Sequence, residues 1–184
     1  WMKEKELLKL AILAALRGGE EILKVYDTDF YVETKSDNTP VTLADKASSK
    51  HILDVLSTSA LPIICEEEEV SNYAIRKNWQ SFWMVDPLDG TKESIKRNGA
   101  FAVNIALIKN EKPIIGVIFT PYFKDLYFAS TGHGSYKIHK ADTFIKNNPG
   151  DWFDKLIATS EILPLQKVPK NYTLIASRSY LSRE

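Results

Sequence analysis

Between residues 101 and 138 the chain alternates apolar runs of strand length with connections too short to hold anything but a reversal. The runs at 101–108, 114–121, 126–130 and 136–138 are joined by Asn110-Glu111-Lys112, Phe123-Lys124-Asp125 and Thr131-Gly132-His133-Gly134. Parallel neighbours need a crossover of about a dozen residues or more, so these strands form an antiparallel meander. Two earlier apolar pieces, 61–65 and 82–85, are also of strand length. A sheet this apolar has to be covered by a second layer. Leu8, Ile12, Ala15, Gly19, Ile22, Leu23 and Tyr26 recur at helical spacing and predict an amphipathic helix over 5–26. Gly18-Gly19 weakens that helix by ~1 kcal/mol per glycine relative to Ala, so Gly19, on the apolar face, is expected to permit close packing. After a polar loop at 33–40, Thr42 stands as the N-cap of a second helix with Leu43, Ala47, Ile52, Val55 and Leu56, ending before Pro62. The fold class is α+β, with N-terminal helices on a largely antiparallel sheet.

A more polar stretch, 139–151, contains the turn signal Asn147-Asn148-Pro149-Gly150 and is the expected domain boundary. It divides the 184 residues into a unit at 1–140 and the opening of a smaller α/β unit at 141–184, with strands expected at 155–159 and 172–177. Twenty-four Lys and Arg balance 24 Asp and Glu, which removes any general pull toward nucleic acid polymers or anionic lipid. The single cysteine, Cys65, excludes an internal disulfide framework and suits a reducing compartment. No apolar run approaches the ~20 residues that span a bilayer, and Lys3-Glu4-Lys5-Glu6 is unlike a signal peptide. A cytoplasmic location is expected, with peripheral membrane association left open. Trp1-Met2 places an initiator-like Met second, so Trp1 reads as an added residue.

The chemistry-bearing stretch is Trp83-Met84-Val85-Asp86-Pro87-Leu88-Asp89-Gly90-Thr91-Lys92-Glu93. An apolar strand ends at Asp86, Pro87 and Gly90 turn the chain, and 91–97 reads as a short helix closed by Asn98-Gly99. Hard divalent cations take oxygen ligands, which Asp86, Asp89 and the Leu88 carbonyl can supply. The amides of Gly90 and Thr91, at a helix N-terminus, favour a phosphate oxygen. The plainer alternative is a turn at Asp86-Pro87 with Asp89 as an ordinary N-cap. An EF-hand loop is ruled out because Leu88 and Gly90 occupy its third and fifth positions, and no Walker pattern occurs. Aspartyl-phosphate phosphatases carry one residue fewer between the two acids, so the second carboxylate is expected to point elsewhere here.

Of the run Glu66-Glu67-Glu68-Glu69, Glu66 alone closes a strand; adjacent acids are otherwise a solvated loop. Asp45 follows Thr42 by three positions in a capping-box arrangement, and Lys35 lies in a polar loop. His51, His133 and His139 lack metal spacing and are read as structural or surface residues.

Taken together, Lys35-Ser36-Asp37-Asn38-Thr39-Pro40-Val41-Thr42-Leu43-Ala44-Asp45, Cys65-Glu66-Glu67 and the 83–93 stretch resemble the inositol monophosphatase superfamily of lithium-sensitive, magnesium-dependent phosphatases. Lys92-Glu93, Ile95-Lys96-Arg97-Asn98-Gly99 and the run 101–108 are most similar to its CysQ-type 3'(2'),5'-bisphosphate nucleotidase branch. The resemblance implies the layered sugar-phosphatase fold. It implies that Glu66, Asp86 and the Leu88 carbonyl hold one Mg2+, and that Asp86 and Asp89 hold a second. Mn2+ is an acceptable substitute. Asp45 and Thr91 would orient and deprotonate the attacking water, and Lys35 would lie near the phosphate or a third, weaker metal. Glu66, Leu88, Asp89, Gly90 and Thr91 would also border the substrate.

The implied reaction is hydrolysis of the 3'-phosphate of 3'-phosphoadenosine 5'-phosphate to AMP, serving sulfate assimilation; inositol or sugar monophosphate hydrolysis, or a non-catalytic metal-binding module, are the alternatives. Two departures from the family pattern stand out. Ser94 replaces a common Phe, which is expected to loosen packing behind the metal loop. The Trp-Asp-x-x-Ala segment that completes the second metal site does not occur before Glu184, so low activity is expected of these residues alone.

Overall fold

The computed structural model describes residues 3–28, 32–34, 40–69 and 71–165. In chain order these form α1 (Glu4–Tyr26), β1 (Val32–Thr34), β2 (Pro40–Thr42), α2 (Leu43–Leu56) and β3 (Ile63–Cys65). There follow α3 (Tyr73–Arg76), β4 (Ser81–Asp89), α4 (Thr91–Ile95), β5 (Ala102–Lys109) and β6 (Lys112–Thr120). The last elements are β7 (Asp125–Ser130), β8 (Gly134–His139), α5 (Ala141–Asn147), α6 (Trp152–Thr159) and β9 (Glu161–Ile162). Strands β3 to β9 lie in chain order in one sheet of seven, and β1 pairs with β2 separately. As the short connections require, β4 to β9 are antiparallel neighbours. Only β3 runs parallel to β4, which the long connection through α3 allows.

Side chains alternate across this sheet with period two. On β5, Val103, Ile105 and Leu107 are buried while Ala102, Asn104 and Ala106 are only partly covered. The buried face, with Trp83, Val117, Phe119 and Leu126, meets the apolar stripe of α1. The opposite face is more open, with Met84 and Ile118 each 46% exposed. The paired glycines of α1 serve two contacts. A Cβ on Gly18 would stand 2.6 Å from Ile52 Cδ1 of α2, and one on Gly19 would strike the Phe119 ring of β6. Close packing at Gly19 is therefore real, and Gly18 does the same for the second helix.

Helix α2 starts as expected and buries the expected Ile52 and Leu56, but its buried face also takes in polar residues. Thr42 caps it in a full capping box with Asp45. Leu43 is 53% exposed, and the buried line is Ala44, Asp45, Ser48, Ser49, Ile52 and Leu56. The polar members can be buried because each finds a partner, described below. Residues 155–159, expected as a strand, are the end of helix α6: Phe153 and Leu156, three apart, are both buried, so helical periodicity decides. The expected helix at 91–97 stops at Ile95 because Arg97 adopts φ 55.

The described residues beyond 140 return to the same body. Ala141, Phe153 and Leu156 join the common core, and β9 extends the sheet beyond β8. The exposed Lys5–Asp154 ion pair at 2.6 Å also ties α6 to α1. Such pairs contribute ~0–1 kcal/mol, against ~1.5–3 kcal/mol for fully burying a Leu or Phe, so the apolar side chains hold this segment. Lys35 and the strand expected at 172–177 lie outside the described residues. Among the described residues no helix is long and apolar enough to cross a membrane.

Candidate active site

The acids come together through sheet register. Strands β3 and β4 pair Cys65 with Val85, and the next residues, Glu66 and Asp86, leave the parallel pair side by side. The Glu66 amide donates to the Val85 carbonyl at 3.1 Å, which holds the end of β3 against β4. Along β4, Asp86 stands opposite Asn104 and Asp89 opposite Ala102, so three steps on one strand match two on the other. In a regular strand residues three apart face opposite sides; the extra residue restores parity and sends both carboxylates to one face. Glu66, Asp86 and Asp89 accordingly border one open groove of about 760 Å3 with Asn104, Met84 and Ile118. The bulge, rather than the plain alternation of a strand, thus sets where the second carboxylate points.

Crowding has an electrostatic consequence. Burial, then the charge of Glu66 and that of Asp89, push the Asp86 carboxyl up to about 7, and a side-chain hydrogen bond with Glu66 acts the same way. The Leu88 amide donates to Asp86 Oδ1 at 3.2 Å and opposes the shift. Among the described residues no group of three or more His, Cys, Asp or Glu side chains forms a cluster fit to hold a metal ion. The three carboxylates share a groove, and Glu66 and Asp89 are exposed at its edge.

Beside this groove lies a tight, buried arrangement. Asp45, 1% exposed, accepts at Oδ2 from the Thr42 amide at 2.7 Å and the Thr42 hydroxyl at 2.6 Å. Its Oδ1 accepts from Thr91 Oγ1 at 2.9 Å, and that hydroxyl also lies 3.3 Å from the Leu88 carbonyl. Capping the helix and meeting Thr91 thus occupy different oxygens of one carboxylate. Gly90, at φ 91, turns the chain into α4, and a Cβ there would stand 2.9 Å from the Ala100 carbonyl.

Two serines fasten α2 to both acid-bearing segments, and the sequence reading passed over them. Ser48 Oγ donates to the Pro87 carbonyl at 2.8 Å, inside the bulge. Ser49 Oγ lies 3.3 Å from Cys65 Sγ and 3.3 Å from Glu68 Oε1. Their helical spacing from Asp45, at three and four positions, was the available signal. Asn104 was also missed; its Nδ2 donates to Asp89 Oδ2 at 3.1 Å. The Ser94 hydroxyl is buried and has no hydrogen-bond partner among the described residues. His51 Nδ1 lies 2.9 Å from the Ala47 carbonyl, and His139 Nδ1 lies 2.9 Å from Asp125; neither borders the groove.

A model described as the inositol monophosphatase family matches residues 3–179. The chain belongs to the inositol monophosphatase family. Within that family, the 3'(2'),5'-bisphosphate nucleotidase CysQ of Shigella flexneri is 48% identical over 121 residues, covering 64% of this chain and 49% of that protein. The crystal structure of CysQ from Bacteroides thetaiotaomicron superposes with a TM-score of 0.81 at 38% identity, covering 97% of this chain and 65% of that one. An IMPase/NADP phosphatase complexed with Mg2+ and phosphate shares the fold at a TM-score of 0.62 and 24% identity, covering 74% of this chain and 53% of that one. The chain spans about half the length of the curated relatives it matches. The α+β class of the fold, with helices on a largely antiparallel sheet, is that of this family.

Proposed function

We propose that the chain carries the metal-binding part of a magnesium-dependent phosphatase that hydrolyses the 3'-phosphate of 3'-phosphoadenosine 5'-phosphate to AMP and phosphate. The observation that carries the reading is the buried Asp45–Thr91 pair standing next to the bulged strand that turns Asp86 and Asp89 to one face. The CysQ relatives support the substrate class.

The donor chemistry fits a hard cation. Glu66, Asp86, Asp89 and the Leu88 carbonyl offer only oxygen, and burial, followed by the charges of Glu66 and Asp89, raises the proton affinity of Asp86. Mg2+, or Mn2+ in its place, would be held by these groups and would supply charge neutralisation of the phosphate and a more acidic water. The chain's own residues do the rest. The Thr91 hydroxyl already donates to Asp45, so its oxygen is turned to accept a proton from water as its own passes to Asp45. That water oxygen bonds to phosphorus as the bond to the ribose 3'-oxygen breaks, the departing oxygen takes up a proton from solvent water, and Asp45 returns its proton to solvent. Gly90 and Thr91 would contact the phosphate, with Lys35 near it or near a further, weaker metal. The proposed division between a metal-binding unit at 1–140 and the opening of a second at 141–184 leaves 141–162 packed on the first. A cytoplasmic setting agrees with the buried free thiol of Cys65.

The family description keeps inositol monophosphate as a second substrate reading. Incubation with 3'-phosphoadenosine 5'-phosphate or inositol 1-phosphate in Mg2+, with chromatography of the products, separates them. AMP and phosphate, released slowly by these residues alone but faster from the nucleotide than phosphate from the inositol ester, are expected. Preferred release from the inositol ester would overturn the substrate assignment.

A further inference from the structure

We infer that Asn104 is a positioning residue of the carboxylate groove, its side-chain amide fixing Asp89 by one oxygen while leaving the other for a cation. The inference deepens the metal-dependent reading above and rests on it.

The placement comes from register. On the open face of β5, Asn104 is the polar side chain between Ala102 and Ala106. Its partner across the ladder is Asp86, and Asp89 pairs with Ala102, two residues along. Asn104 therefore meets one acid directly and the other on the diagonal, within reach of a side-chain contact. It uses that reach: Nδ2 donates to Asp89 Oδ2 at 3.1 Å. Asp89 is exposed at the rim of the groove, whereas Asn104 is partly buried in its floor. A rim carboxylate is thus held to the sheet by a group that the sheet itself orders.

The residue type matters as much as the contact. Lys or Arg at this position would bring a fixed positive charge into competition with a cation, and a further Asp would add to the repulsion that already raises Asp86. An amide donates without carrying charge at any working pH. A carboxylate offers about four lone-pair sites, so one bond from Asn104 leaves acceptor capacity on Oδ1. Removing the hydrogen-bond partner of a metal-ligating group typically costs about 10–100-fold in affinity.

The test is Mn2+ binding to the 184-residue chain, titrated far enough to fill the weaker site that Asp89 shares with Asp86 and read from loss of the free-ion paramagnetic resonance signal, with no turnover involved. Asn104→Ser should weaken binding about tenfold or more, and Asn104→Gln, which keeps the amide, should recover part of that loss. On an Asp89→Asn background, Asn104→Ser should add less than about twofold, because the residue acts through Asp89. Unchanged affinity in Asn104→Ser, or an equal loss on both backgrounds, would overturn the assignment. If Asn104→Ser fails to fold, as judged by its thermal melt, Asn104→Thr carries the same expectation with better strand preference. Glu66→Gln and Asp89→Asn serve as controls: if neither weakens Mn2+ binding, the metal reading itself fails and Asn104 falls with it. That pattern is distinct from one in which the acids matter and Asn104 does not.

Discussion

Asp45 sits at 1% exposure with donors on both carboxylate oxygens, whereas Asp86, a short way across the same turn, faces Glu66 and Asp89 and is pushed up to about 7. One carboxylate is finished by the fold, and its charge is balanced by three hydrogen bonds from Thr42 and Thr91. The other is left in a groove where folding raises its energy. A buried carboxylate with donors on both oxygens is held in one place by the fold. Acids gathered against their own repulsion are expected where a cation will join them. Under the proposed function, the contrast separates the residues that would handle the proton from those that would hold the cation.

The largest effect should come from the finished side. Asp45→Ala removes the capping box, strands the Thr42 amide and hydroxyl without their acceptor, and leaves the Thr91 hydroxyl only its longer contact with the Leu88 carbonyl. Lost capping costs ~0.5–2 kcal/mol and each buried unmet donor ~1–3 kcal/mol, so urea unfolding should show a loss of at least ~3 kcal/mol. Asp89→Ala, at an exposed rim position with one bond from Asn104, should cost no more than ~1 kcal/mol in the metal-free chain. Equal losses from the two would break the comparison.

A smaller effect sharpens the other side. Asp86 has a folded value raised from 3.8 to about 7. Its contribution to stability is therefore fully present below 3.8 and is lost as pH rises through about 7, the opposite of an ordinary salt-bridged Asp. Asp86→Asn, which imitates the protonated form, should match the parent in metal-free unfolding below pH 3.8 and exceed it by a margin that grows from pH 5 to pH 8. Cation affinity should move the other way, falling toward tenfold per pH unit below about 7 as a proton competes for Asp86. A parent chain that gains stability over Asp86→Asn between pH 5 and 8 would contradict this account.

Much of this was legible in the residue order. The meander followed from connections too short to cross over, and the capping box from Thr42 and Asp45 three apart. The bulge was not legible, because the facing of Asp89 depends on its register against β5, a strand 13 residues further on at Ala102. Helix α6 was misread because Leu156, Ile157 and Ala158 form a short apolar run that looks like a strand until Trp152 and Phe153 are counted with it. On α2 the burial of Ile52 and Leu56 was legible, whereas that of Asp45, Ser48 and Ser49 was not, because it depends on partners far along the chain. For the bulge and for α2 the missing information lay in a long-range pairing, and for α6 it lay in the residues just before the apolar run.

The most direct test of the central claim compares two adjacent-looking acids. Calorimetric titration of Mg2+ or Mn2+ into Glu66→Gln and Glu69→Gln at pH 8 asks whether the end of β3 or merely the acidic run binds the ion. Glu66 borders the groove beside Asp86, whereas Glu69 is exposed beyond it. Removing one of several carboxylates from a hard-cation site should lower affinity about tenfold or more, while a surface charge change leaves it nearly untouched. Impaired binding in Glu66→Gln with parent-like binding in Glu69→Gln is the expected result. Equal effects from both, or binding unaffected by Glu66→Gln, would show that the groove is not the metal site.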